Sequence, residues 1–364
     1  MRKLSAVFVA VVTVLSGVTV LCAAGSPSGW RWEKLPNILF SDCTGLAYAP
    51  TAPDTVYAVA DEKLFVSSDR GKTWKSLTQY AGDTVLSPIV KPDNPSQLYS
   101  WDRTSLLWSA DSGSTWNTVP LPAPSVRAMA CTVGSPGYLF LSSPSGGFWR
   151  SDLQGGNIQE IAGLGGRVER VAASCRNQNE LYAIVVLGDV SSTNTKLMCS
   201  SDAGLTWEQV GKGALRGKLV EMALAATDSG IIDVLTESNQ LGLSAKALYY
   251  RSRDRGKTWS KPVAVGEFAG PVSVDVRDPN RIVTFSDFVT PRISTDGGRT
   301  WQSIANPKAN ITEPTAVAAL GDGVILGALG ADGPHELCRL AGSNARPAPK
   351  PQGKPGIPAM WRHM

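Results

Sequence analysis

One octapeptide, Ser-x-Asp-x-Gly-x-Thr-Trp, recurs five times and constrains this chain more than any other feature. It occupies residues 67–74, 109–116, 200–207, 252–259 and 294–301. The tryptophans Trp74 and Trp116 are 42 residues apart, Trp207 and Trp259 are 52 apart, and Trp259 and Trp301 are 42 apart. Trp116 and Trp207 are 91 residues apart, and the interval holds a decayed copy, Arg150 to Ile158, in which Ile158 stands 42 residues after Trp116. Counting 42 back from Trp74 reaches Trp32, so the period begins in mid-repeat.

A unit of about 42 residues accommodates four short antiparallel strands, the size of a propeller blade. The unit ending at Trp207 shows them as runs Val171–Ser174, Leu181–Leu187, Lys196–Ser200 and Thr206–Val210, separated by polar turns. After Trp301 the runs Ala316–Leu320, Val324–Ala328 and Glu336–Leu340 supply three strands, and the orphan strand at Trp32 supplies the fourth. The expectation is an all-β, seven-bladed propeller over residues 25–340, closed by pairing the N-terminal strand with the C-terminal blade. Closure removes the sheet edges that would otherwise invite aggregation.

The repeated residues have a structural reading. The carboxylates of Asp69, Asp111, Asp202, Asp254 and Asp296 accept backbone N–H groups within their own turns, the glycine permits positive φ, and the threonine adds a hydroxyl contact. Trp74, Trp116, Trp207, Trp259 and Trp301 then open the fourth strands and fill the space between blades. The Asp and Trp repeats therefore mark the fold rather than catalysis.

Residues 1–24 carry Arg2 and Lys3, an apolar run from Leu4 to Leu21, and small residues before a cleavage point after Ala24, which reads as a secretory signal peptide. An uncleaved anchor is the alternative, and Leu21 argues against lipid attachment at Cys22. Residues 341–364 hold five prolines, no acidic residue and four cations, a basic extended tail. The expected location is exported, whether periplasmic, lumenal or extracellular, with membrane association open. Without the two ends, 29 Lys and Arg face 31 Asp and Glu, which gives no footprint for nucleic acid. The histidines are His335 and His363 and no cysteine has metal-ligand spacing, so neither a metal nor a cofactor is expected. Cys131 and Cys175 fall near the ends of equivalent strands and are the candidates for one disulfide between neighbouring blades.

With five octapeptides in place, the chain resembles the Asp-box (BNR-repeat) propellers over nearly all of 30–340. That group includes sialidases, xyloglucan hydrolases, sortilin-type receptors and photosystem II stability and assembly factors. Xyloglucan hydrolases pair two such propellers and sortilin-type receptors use ten blades, so a single ring after an export signal looks most like the assembly-factor branch. The resemblance implies a protein partner, such as a membrane-complex subunit. A glycan ligand is the alternative.

In a four-stranded meander the boxes mark one face, and the two-to-three loops and blade-to-blade connections lie on the other. The extra residues of the two long units fall in Gly188–Thr195 and Glu237–Ala245, enlarging the face away from the boxes. On that face Arg127, Arg167, Glu169, Arg170, Arg216, Lys218 and Glu221 lead into three successive innermost strands. Such a rim can hold carboxylates or phosphates, arginine doing so through paired hydrogen bonds. A solvated rim with ion pairs such as Arg170 with Glu221 is the plainer reading. Trp101, Asp102, Arg103, Phe268 and Phe288 occupy neighbouring loops and supply candidate anchors for a partner.

The resemblance to sialidases implies an arginine cluster, a tyrosine nucleophile with a supporting glutamate, and an acidic proton donor. The Arg-Ile-Pro motif of that branch is absent ahead of the first box, and Pro291-Arg292-Ile293 has the wrong order. Tyr80, Tyr138, Tyr182, Tyr249 and Tyr250 have no motif context. The leading expectation is a non-catalytic binding propeller. A sialidase-like glycoside hydrolase acting at the same face is the alternative.

Overall fold

The computed structural model describes residues 30–33, 43–60, 63–77, 86–102, 104–123, 125–189, 193–238, 245–286, 290–304, 314–320, 325–329 and 338–341. The expected signal peptide and residues 342–364 of the expected tail lie outside these residues; Ala341, expected to begin the tail, instead ends a strand and pairs with Arg31. Among the described residues, seven four-stranded antiparallel sheets are formed. Six are consecutive meanders, whose innermost strands are Cys43–Tyr48, Leu86–Lys91, Ala128–Cys131, Arg167–Ala173, Lys218–Leu224 and Ala269–Val274. The seventh is composite. Pro314–Ala319, Ile325–Leu329 and Cys338–Ala341 are completed on the outside by Arg31–Glu33, which pairs antiparallel with Cys338–Ala341. The innermost strands pack side by side around the ring, the first against the seventh as well as the second.

All five boxes fold alike, each between the third and fourth strands of a blade. The Asp carboxylate accepts the Thr backbone N–H at 2.8 to 3.0 Å and the Thr hydroxyl at 2.5 to 2.7 Å. The opening Ser hydroxyl donates to the same carboxylate and accepts the Gly N–H. The carboxyls respond to these donors. The Thr115 hydroxyl and N–H, then the Ser109 hydroxyl, hold Asp111 down at about 2, and the Thr206 hydroxyl and N–H do the same for Asp202. The decayed box keeps the staple with different donors: Asp152 accepts the Gly156 N–H at 2.7 Å, and the Asn157 side-chain amide replaces the threonine hydroxyl at 2.8 Å.

Each box tryptophan donates its indole N–H to the carbonyl of its own box glycine at 3.0 to 3.2 Å. That bond turns the ring into the seam with the preceding blade: Trp207 packs with Phe140 and Phe148 of blade three, and Trp301 with Leu235 and Tyr249 of blade five. The core is therefore a circle of inter-blade seams. Gly298 shows why the box needs glycine: its φ is +83°, and an added Cβ would stand 1.9 Å from Tyr249 Cε1 of the preceding blade.

Three expectations need correction. Counting by 42 selected Trp32, yet the seam between blades six and seven is filled by Trp30, which directly precedes its strand as Trp74 precedes Lys75–Ser76. Trp101 is buried rather than displayed, because its strand runs through it, from Asn94 to Trp101, and carries the ring into the seam between blades two and three. That seam is the one whose box position holds Ile158, which is 40% exposed. Cys131 and Cys175 remain free thiols: Cys131 ends its strand with Sγ 3.5 Å from the Thr132 carbonyl oxygen, whereas Cys175 lies two residues past the end of Arg167–Ala173. Burial pushes Cys131 up to about 12 and Cys175 to about 11, so neither is a reactive thiolate near neutral pH.

Candidate functional site

A pocket of about 340 Å³ opens where the innermost strands of blades three, four and five begin, on the face away from the boxes. Arg127, Arg167, Glu169, Arg170 and Lys218 line it together with Pro144, Val186, Leu219 and Val220. The rim expected from sequence is thus one concave, amphipathic site.

Backbone irregularity builds it. In blade four Val168 pairs with Val185 and Arg170 with Ile184, so Glu169 is an extra residue with no partner on the neighbouring strand. Blade five repeats the bulge: Leu219 pairs with Thr236 and Glu221 with Leu235, leaving Val220 as the extra residue. A bulge re-aims its side chain. Here equivalent bulges in adjacent blades contribute a carboxylate and an isopropyl group to the same pocket. Gly166 and Gly217 lie just before these strands, and a Cβ on either would meet a carbonyl oxygen, of Val186 at 2.3 Å or Glu237 at 2.2 Å.

The charges converge on Glu169. Arg127 of blade three pairs with its Oε1, the Arg167 Nε lies 3.4 Å from Oε2, and the Arg170 Nη1 lies 4.0 Å from Oε1. Arg170 also places Nε at 2.8 Å and Nη2 at 2.6 Å from Glu221 Oε1, tying blade four to blade five. Burial, then the charges of Arg170 and Arg167, lowers the Arg127 pKa from its ordinary value. The Lys218 ammonium has no hydrogen-bond or ion-pair partner among the described residues, its backbone lying opposite Glu237 in the sheet. Arg216 is exposed just outside the pocket, held by its backbone, with its N–H 3.3 Å from the Tyr250 hydroxyl and its carbonyl accepting the Thr236 hydroxyl at 2.6 Å.

The remaining candidates disperse. Arg103 and Phe288 lie outside the described residues, Phe268 is half-buried, and Asp102 caps the Thr104 and Ser105 N–H groups. No described tyrosine lines the pocket. Tyr182 and Tyr249 are buried, with hydroxyls donated to Glu180 and Asp233, and burial raises the pKa of both. Tyr138 lies beneath the Arg150 guanidinium, 4.9 Å from its ring centroid. Sequence reasoning missed Pro144, Val186, Leu219 and Val220; nothing in their spacing marks them as a group.

Known proteins agree on the architecture. Residues 64–77 match the BNR-Asp box repeat, and residues 250–261 and 292–303 match the BNR/Asp-box repeat. No curated protein matches the sequence. The fold is similar to YCF48 bound to D1 peptide, at 17% identity and TM-score 0.63, covering 88% of this chain and 98% of that one. YCF48 from Cyanidioschyzon merolae is similar at 13% identity and TM-score 0.60, covering 86% and 99%. The GH74 xyloglucanase from Xanthomonas campestris is similar at 19% identity and TM-score 0.62, covering 86% of this chain but 56% of that one. Identities this low speak for fold alone. With its stapled turns, their tryptophans in the seams and the matched repeats, this chain is a BNR/Asp-box repeat β-propeller of four-stranded antiparallel blades.

Proposed function

We propose that this protein is an exported, non-catalytic propeller that binds a protein partner through the face opposite the Asp boxes. An acidic, partly apolar segment of the partner enters the pocket between blades three, four and five. The observation that carries this reading is the pocket's composition: four cations and one carboxylate, Glu169, beside an apolar lining of Pro144, Val186, Leu219 and Val220. Electrostatic complementarity of this kind steers and orients a partner, while apolar contacts supply affinity. The structural neighbour YCF48, which was solved with a D1 peptide, motivates the partner class: a subunit of a membrane-associated complex under assembly or stabilisation. Export rests on the N-terminal segment, residues 1–24.

The test is affinity purification of the full-length protein from its own host in mild detergent, beside an Arg127→Glu plus Arg170→Glu variant that turns the pocket's net charge from positive to negative. Membrane-complex subunits recovered with wild type and lost with the variant, at unchanged melting temperature, support the reading. Recovery of no specific partner, together with turnover of a fluorogenic sialoside or a xyloglucan oligosaccharide, replaces it with a glycoside hydrolase.

A further inference from the structure

The pocket's cations are not equivalent. Three arginines surround Glu169, which comes from their own cluster: Arg127 pairs with it across the seam between blades, Arg167 lies within 3.4 Å, and Arg170 divides itself between Glu169 and Glu221. Glu169 stands where a foreign carboxylate would have to sit to be gripped by the same guanidinium groups. It is placed there by the bulge, and its side chain is 17% exposed. An incoming anion that took Arg127 or Arg167 would leave Glu169 largely buried beside an acidic ligand, with its partners withdrawn. That exchange sets one buried charge pair against another and gains little. Among the described residues Lys218, on the blade-five wall, has no carboxylate partner to surrender, and exposed Arg216 adds to the positive potential beside it.

Resting on the partner-binding reading above, we propose that Glu169 is a built-in occupant of the arginine cluster and that the partner's anionic group is held at Lys218. An ammonium is a compact charge that does not demand the bidentate geometry of a guanidinium. Leu219 and Val220 follow Lys218 directly and line the same pocket, so the matching ligand carries a carboxylate beside an aliphatic side chain. Such a carboxylate is either an acidic side chain or a chain's C-terminus.

The test uses the full mature chain and two fluorescein-labelled aliphatic pentapeptides. One has a free C-terminal carboxylate and no acidic side chain; the other is amidated and contains one glutamate. Tighter binding of either by wild type identifies the carboxylate's source. Lys218→Ala should weaken that binding about tenfold and flatten its salt dependence, with Lys218→Arg restoring most of it. Arg127→Ala should change it by less than about threefold, and Glu169→Gln should tighten it several-fold by freeing the arginines. Melting temperatures of every variant separate these effects from unfolding. Equal losses in Lys218→Ala and Arg127→Ala, or no tightening in Glu169→Gln, overturn the proposal. If those results come while the host partner is still captured through this face, only the assignment within the pocket falls. If wild type binds neither peptide nor any host partner, the binding reading falls with it.

Discussion

At the scale of single residues, the boxes couple stability to acidity. Their carboxyls ionise more readily in the fold than the value near 3.9 of an unfolded chain, because threonine and serine donors favour the charged form. Folding therefore gains from ionisation above about pH 4 and loses that gain as pH falls toward 2. Thermal melts across pH 5 to 2 should show a steep fall in stability over that interval, and an Asp202→Asn variant should show a shallower one. A buried pair gives a second prediction. The Arg251 guanidinium forks onto both oxygens of Asp233 at 2.7 Å, and both residues are buried. Arg251→Met leaves the buried carboxylate without its counter-charge, the Tyr249 hydroxyl alone still donating to it, and should cost about 3–5 kcal/mol in urea unfolding. Gly298→Ala should cost about 2–4 kcal/mol, since it sets a methyl group against Tyr249 and places a side chain at positive φ.

At the scale of strands and turns, ring closure depends on very little chain. Three residues, Arg31–Glu33, complete the last sheet, and Trp30 fills the adjoining seam with Val283, Ile293 and Leu340. Trp30→Ala should therefore destabilise the ring by about 3–5 kcal/mol. Deletion of residues 1–33 should leave Cys338–Ala341 as an unpaired edge and convert the protein to oligomers, read by light scattering. The blades and their closure were legible because each octapeptide carries its own staple and indole, so sequence spacing maps directly onto strand order. Finer placement was not. Counting by 42 cannot see the two-residue difference between Trp32 and Trp30, and the turn-like Trp101-Asp102-Arg103 conceals a strand that runs to Trp101 before turning. Bulges are equally hidden: Glu169 and Val220 break the alternation by a single residue, which looks like ordinary variation until the partner strand's register is known.

For the molecule as a whole, the two faces divide the work. One carries the stapled turns; the other carries the pocket and the two lengthened loops, 187–194 and 238–245, which join second to third strands as expected, with 190–192 and 239–244 outside the described residues. The arginines and glutamates of the pocket were legible as a group because all lead into innermost strands at one end of the ring. Their mutual pairing around Glu169 was not, since it depends on side chains meeting across blade seams. Partner binding should weaken with added salt, and a host partner captured at low ionic strength should elute as salt rises toward about 0.5 M, because exposed charges are screened there. The most direct test of the proposed binding face is photo-crosslinking in the host from two exposed positions, with a photoreactive residue replacing either Arg216 beside the pocket or Lys257 in a box turn. Crosslinks to a membrane-complex subunit from position 216 and none from position 257 are the predicted result. Crosslinks from position 257 alone would contradict the assignment of the binding face.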